Sequence, residues 1–169
     1  EKMISIRPDI KSYARVSYLR EIHGDYAGAI QAMKLAVDAG IAGDEATAWT
    51  RVQLGNLYEK TGDLKMAEMN YIIALSERPG YAYALSGLGR IAIAKKKYDD
   101  AIDLYKQADS SIQDYSLKEE LCEVYVLNGQ PDKAHAIART IVREMSKDVT
   151  KEMEEDSIGH YSDRELAHA

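Results

Sequence analysis

From Ala48 to Pro79 two hydrophobic runs of helical period flank a short polar break. Leu54, Leu57 and Tyr58 recur at the three-and-four spacing of a helix that buries one face. Lys60-Thr61-Gly62-Asp63 interrupts the run with turn-forming residues. Met66, Ala67, Tyr71, Ala74 and Leu75 then resume it, and Pro79 stops it. The pattern predicts a helix, a tight turn and a second helix in about thirty residues. Neither helix can bury its apolar face alone, so the unit requires neighbours of its own kind.

Such neighbours are found on both sides. One hairpin is expected over 10–43, with Tyr13, Val16, Leu19 and Ile22 before the break at Gly24-Asp25. Ala29, Ile30, Met33, Ala36 and Val37 follow that break. Gly40 is expected to cap this hairpin's second helix, and Asp44 to cap the next helix. The opening unit covers 48–81. A third covers 82–114, with Leu85, Leu88, Gly89 and Ala92, then Ala101, Ile102, Tyr105 and Ala108. Its turn carries Lys96 where the others carry glycine, so positive φ there would strain it. A fourth covers 115–146, with Leu121, Cys122, Tyr125 and Val126 before Gly129, and Ala134, Ala138, Ile141 and Val142 after it. Residues 1–9 read as the end of a preceding unit, 147–161 as an acidic linker, and 162–169 as the start of a further one. Ser162 and Glu165 have capping-box spacing. On this reading the chain is a piece of a longer array.

The registered residues resemble the tetratricopeptide repeat family. The Ala48 unit matches the family's spacing at Leu54-Gly55, Tyr58, Gly62, Ala67, Tyr71, Ala74 and Pro79. The third unit supplies Leu88-Gly89, Tyr98, Ala101, Tyr105 and Ala108. The first departs from the pattern with Ser17 at a small position, and the fourth with Cys122 there and Ile141 where alanine is usual. The resemblance implies an all-α fold, a right-handed superhelix of helical hairpins whose first helices line a concave face. It also implies binding of peptides, partner helices or whole proteins.

Composition narrows this further. The chain has 169 residues, 46% of them apolar and 30% charged, with only 3 prolines, which suits a soluble helical domain. No apolar run is long enough to span a membrane. A net charge of −6 argues against a nucleic-acid partner, which needs clustered Lys and Arg. Lys95-Lys96-Lys97 is followed at once by Asp99-Asp100 and reads as a solvated turn.

No constellation points to catalysis, to a cofactor or to a metal. His23 and His135 stand apart at a turn and near the start of a helix. His160 and His168 would lie about 12 Å apart on a helix, too far for one ion without further ligands. Cys122, the single cysteine, is flanked by Glu119, Glu120 and Glu123 and reads as a small packing residue.

The chain is therefore expected to be a non-catalytic interaction scaffold that takes a peptide or protein in its groove. Two alternatives stay open: a substrate-recruiting arm of a larger enzyme or sensor, and an array that self-associates through its repeat ends. Groove candidates lie one face away from the buried residues of each first helix. They are Lys11, Arg15 and Tyr18; Trp49, Gln53 and Asn56; Tyr83, Ser86 and Arg90; and Glu119 and Glu123. Trp49 and Tyr83 admit a second reading, as residues packed on adjacent helices. Lys11, Arg15 and Arg90 at one end, with Glu119, Glu120 and Glu123 at the other, suggest a groove of mixed charge. Some family members hold a chaperone's C-terminal carboxylate with Lys and Asn on one first helix, Asn on the next, and Lys and Arg on a third. Ala14, Tyr18, Tyr83 and Gly87 stand where four of those residues are expected, so that clamp is absent.

Overall fold

The computed structural model describes residues 9–112 and 114–147. Among these, helices alternate with short turns: α1 (Ile10–Ile22), α2 (Tyr26–Asp38), α3 (Glu45–Lys60), α4 (Leu64–Glu77), α5 (Ala82–Ala94), α6 (Tyr98–Ser111), α7 (Tyr115–Leu127) and α8 (131–147). Consecutive helices pack on each other, and α3 also touches both α1 and α5. The result is an all-α array of helical hairpins. The expectations for 1–8 and 148–169, including Ser162, Glu165, His160 and His168, lie outside the described residues.

The turns explain the register. Gly24, Gly62, Lys96 and Gly129 hold the same place in the four hairpins, with φ of +80°, +83°, +59° and +69°. Glycine reaches that region freely, whereas Lys96 adopts it at a steric cost. Asp25 and Asp63 then cap the following helices by accepting from Gly28 N at 2.9 Å and Met66 N at 3.1 Å. Lys97, in the same place before α6, makes no such bond.

Two local expectations need correction. Gly40 is not a left-handed cap: the C-cap of α2 is Ala39, in the ordinary helical region, and Gly40 itself has no positive φ. Gly40 is needed for space, because a Cβ there would stand 2.3 Å from Thr47 Oγ1. Asp44 does precede α3, yet its side chain makes no capping bond. α3 itself starts at Glu45, ahead of the expected unit boundary at Ala48.

The core is built from small residues opposite large ones. Seven residues before each turn residue stand Ser17, Gly55, Gly89 and Cys122. Nine after it stand the buried Met33, Tyr71 and Tyr105 and, in the last hairpin, the exposed Ala138. Tyr71 and Tyr105 are fully buried. A Cβ at Gly55 would lie 2.4 Å from the Tyr71 ring, and one at Gly89 2.8 Å from the Tyr105 ring. A Cβ at Gly87, in the next hairpin, would meet Tyr71 at 2.6 Å. Tyr71 is therefore clasped by glycines from two successive first helices, which allows the close approach of α3, α4 and α5. In the outer hairpins the small position is polar. Ser17 Oγ donates to the Ala29 carbonyl at 2.8 Å, and Cys122 Sγ to that of Ala134 at 3.5 Å.

Candidate functional site

The same turn register sorts the candidate residues. Thirteen residues before the turn lie Lys11, Trp49, Tyr83 and Ser116. All four are exposed, Trp49 by 45% and Tyr83 by 40%. Nine before the turn lie Arg15, Gln53, Gly87 and Glu120; six before it lie Tyr18, Asn56, Arg90 and Glu123. The first helices thus present three parallel rows on one side of the array.

An open cavity of about 540 Å³ cuts into this side. Its walls come from α1, α3, α5 and α7, with Met33 of α2 beneath. Gln53, Asn56 and Arg90 line it, as do Glu21, Glu59, Lys60 and Glu120. A second hollow of about 350 Å³ lies between α1 and α3 and is mostly apolar. It brings together Lys11 and Trp49, with Ile10, Ala14 and Thr50 around them and Glu45 as its carboxylate. Arg15, Tyr18, Tyr83, Glu119 and Glu123 lie outside these two cavities on neighbouring surface.

Arg90 is the hub of the larger cavity. Its Nη2 donates to Asn56 Oδ1 at 2.7 Å, to Glu59 Oε2 at 2.8 Å and to Tyr71 Oη at 3.2 Å. Its Nη1 donates to Ser86 Oγ at 3.0 Å and approaches Glu120 Oε1 at 3.7 Å. Ser86 Oγ donates to Glu120 Oε2 at 2.6 Å, and the Tyr71 hydroxyl donates to Glu59. One guanidinium thereby joins side chains of α3, α4, α5 and α7. Burial works against its charge, but the hydrogen bond and charge of Glu59, with Tyr71 and Glu120, outweigh that and raise its pKa. Burial, then Glu59, push the Tyr71 phenol well above its ordinary value, so it serves as a neutral donor.

This geometry changes the expected charge layout. Arg90 belongs with neither end; it is neutralised between Glu59 and Glu120. Ser86 is buried, 4% exposed, because it sits ten residues before its turn, in the inward register of Val52. Glu119 holds that register in α7 yet is exposed, while Glu120 takes the cavity position. Glu21, Glu59 and Lys60 were missed by the sequence reading. Glu21 and Glu59 continue the rows one helical turn closer to the loop, and Lys60 pairs with Glu21 across α1 and α3. His23 and His135 are exposed. No group of three or more His, Cys, Asp or Glu side chains among the described residues is placed to hold a metal ion.

Residues 52–115 match the family model described as tetratricopeptide repeat. That segment carries tetratricopeptide repeats. No protein in the curated sequence comparison matches the chain. Solved tetratricopeptide-like structures do. MamA superposes with a TM-score of 0.69 at 18% identity, covering 88% of this chain and 86% of its own. BtubC (BKLC) from P. vanneervenii gives 0.70 at 19% identity, covering 82% of this chain and 63% of its own. The Cut9–Hcn1 hetero-tetramer of the APC/C gives 0.70 at 16% identity; there the match covers 81% of this chain but 27% of the other. At these identities the likeness establishes the tetratricopeptide fold. Among the described residues, no helix of the repeat array is long and apolar enough to cross a membrane.

Proposed function

We propose that this chain is a non-catalytic scaffold that binds a peptide or partner protein along the surface of its first helices. The observation that carries this reading is the larger cavity, to which α1, α3, α5 and α7 all contribute. A surface assembled from four successive repeats is suited to an extended ligand that touches each in turn. Its fixed network of Asn56, Glu59, Arg90 and Glu120 gives the groove a rigid floor, which lowers the ordering cost of binding. The match of residues 52–115 to a repeat family of interaction scaffolds supports the same reading, and Cut9, in a structural neighbour, is itself assembled with a second protein, Hcn1.

Site-specific photo-crosslinking in the intact protein tests it. A crosslinker replacing Gln53, in the cavity, should trap a partner segment. One replacing Met69, exposed on α4, should not. Adducts from Met69 alone would place binding on the other helices and overturn the proposal.

A further inference from the structure

We propose that the row Lys11–Trp49–Tyr83 reads an extended partner segment of defined spacing: an acidic residue, then a large apolar residue three positions on, then a second one three positions further. This rests on the reading that the first-helix surface is the binding face, and it names the chemistry of the ligand. Three observations carry it. First, Lys11, Trp49 and Tyr83 hold one register in three successive first helices, thirteen residues before a left-handed turn residue, and all are exposed. Second, Lys11 and Trp49 share the mostly apolar hollow of about 350 Å³ between α1 and α3. Tyr83 is held on the next first helix by an edge-on contact to Tyr81, with ring centroids 5.7 Å apart. Third, Lys11 and Arg15 are exposed and pair with no carboxylate among the described residues, while the hollow beside Lys11 is lined by the one carboxylate of Glu45.

The spacing follows from helix geometry. α1 touches α3, and α3 touches α5. Packed helices lie about 8–10 Å apart, and an extended chain advances about 3.3 Å per residue. One repeat is thus crossed in about three residues. A three-residue period turns like side chains to the same face when the segment is a polyproline-II helix, with three residues per turn and about 3.1 Å per residue, rather than a β-strand, whose side chains alternate. Large apolar groups gain most where exposed Trp and Tyr cover them, and an acidic residue gains most over α1.

Trp49 is the single tryptophan of the chain, so its emission reports on the hollow directly. The probe is a synthetic serine-rich peptide with glutamate, leucine and leucine at three-residue intervals, titrated to millimolar concentration. Saturable change in Trp49 emission is expected. Peptides with intervals of two or four should bind at least tenfold more weakly, as should Tyr83→Ser protein with the matched peptide. Lys11→Glu should reverse the preference between this peptide and one with lysine in place of glutamate. Circular dichroism confirms that each variant is folded. Equal affinity at all spacings, an unreversed charge preference, or no emission change would overturn the inference. If crosslinking at Gln53 still traps a ligand in that event, the groove reading stands and only the spacing rule falls. If Gln53 traps nothing, both fall.

Discussion

The two central hairpins and the two outer ones solve the same packing problem differently. In α3–α4 and α5–α6, glycine meets a buried tyrosine: Gly55 with Tyr71, and Gly89 with Tyr105. In α1–α2 and α7–α8, Ser17 or Cys122 occupies the glycine position and donates to a backbone carbonyl; buried Met33 takes the ring's place in α2, whereas in α8 that place falls on Ala138, which is exposed. The central pair also shares its tyrosine across the repeat boundary, through Gly87, and carries the Arg90 network. The family match at 52–115 falls on this central pair. Steric complementarity that spans two repeats couples them; a hydrogen bond inside one hairpin couples only its own two helices. The middle of the array is thus tied by a ring clasped across the repeat boundary, while the outer hairpins join it through ordinary apolar packing, α2 against α3–α5 and α7 against α5–α6.

Substitutions can break this contrast. Gly87→Val, which drives a branched side chain into the Tyr71 ring, should destabilise the protein by about 1–3 kcal/mol or more. Ser17→Ala in the outer hairpin removes one hydrogen bond and should cost about 1 kcal/mol. Urea denaturation followed by circular dichroism measures both, and equal losses would erase the distinction. Arg90→Met should come next in size, at about 1–3 kcal/mol, because it leaves Glu59 and Asn56 without their main donor. Arg90→Lys, which cannot reach all partners, should recover only part of that loss. A loss no larger for Arg90→Met than for the exposed Arg15→Met would remove Arg90 as a coupling residue. The smallest effect is at alkaline pH. Tyr71 and Tyr105 ionise less readily folded than unfolded, chiefly because they are buried. The unfolded chain therefore releases their protons first, and stability should fall as pH rises above about 10. Tyr71→Phe should flatten that fall relative to its own stability at pH 8, and an unchanged slope would show that Tyr71 does not contribute.

Most of the fold was legible because it rests on period. Turn residues at Gly24, Gly62, Lys96 and Gly129 and helical spacing between them place all eight described helices. Lys96 stands where the other turns carry glycine, and its φ of +59° bears the strain that this place in the register implies. What failed was local. Gly40 looked like a cap, since a sequence shows a glycine after a helix but not the Thr47 hydroxyl facing it. The site was less legible. Counting from the turns puts Lys11, Trp49 and Tyr83 in one row, but Ser86 and Glu119 are each one residue off the row that holds Gly87 and Glu120. A one-residue shift on a helix turns a side chain by about 100°. Partnering was not legible at all. Arg90 reads as a free cation until Glu59 and Glu120 are brought beside it from α3 and α7.

The strained turn at Lys96 bears on the order in which the array forms. Helix nucleation is costly, and a local segment that already favours its turn starts first. The hairpin around Gly62 has a permissive glycine, a capping Asp63 and a clasped Tyr71. The hairpin around Lys96 has an unfavourable backbone angle and no capping bond before α6. Chain collapse should therefore seed at α3–α4 and spread outward, with α5–α6 recruited onto it. Kinetic φ-values for Ala67→Gly should exceed those for Ala101→Gly, and the reverse order would put the seed in the third hairpin. A single lysine in a turn would then set not how tightly the array holds together but where it begins.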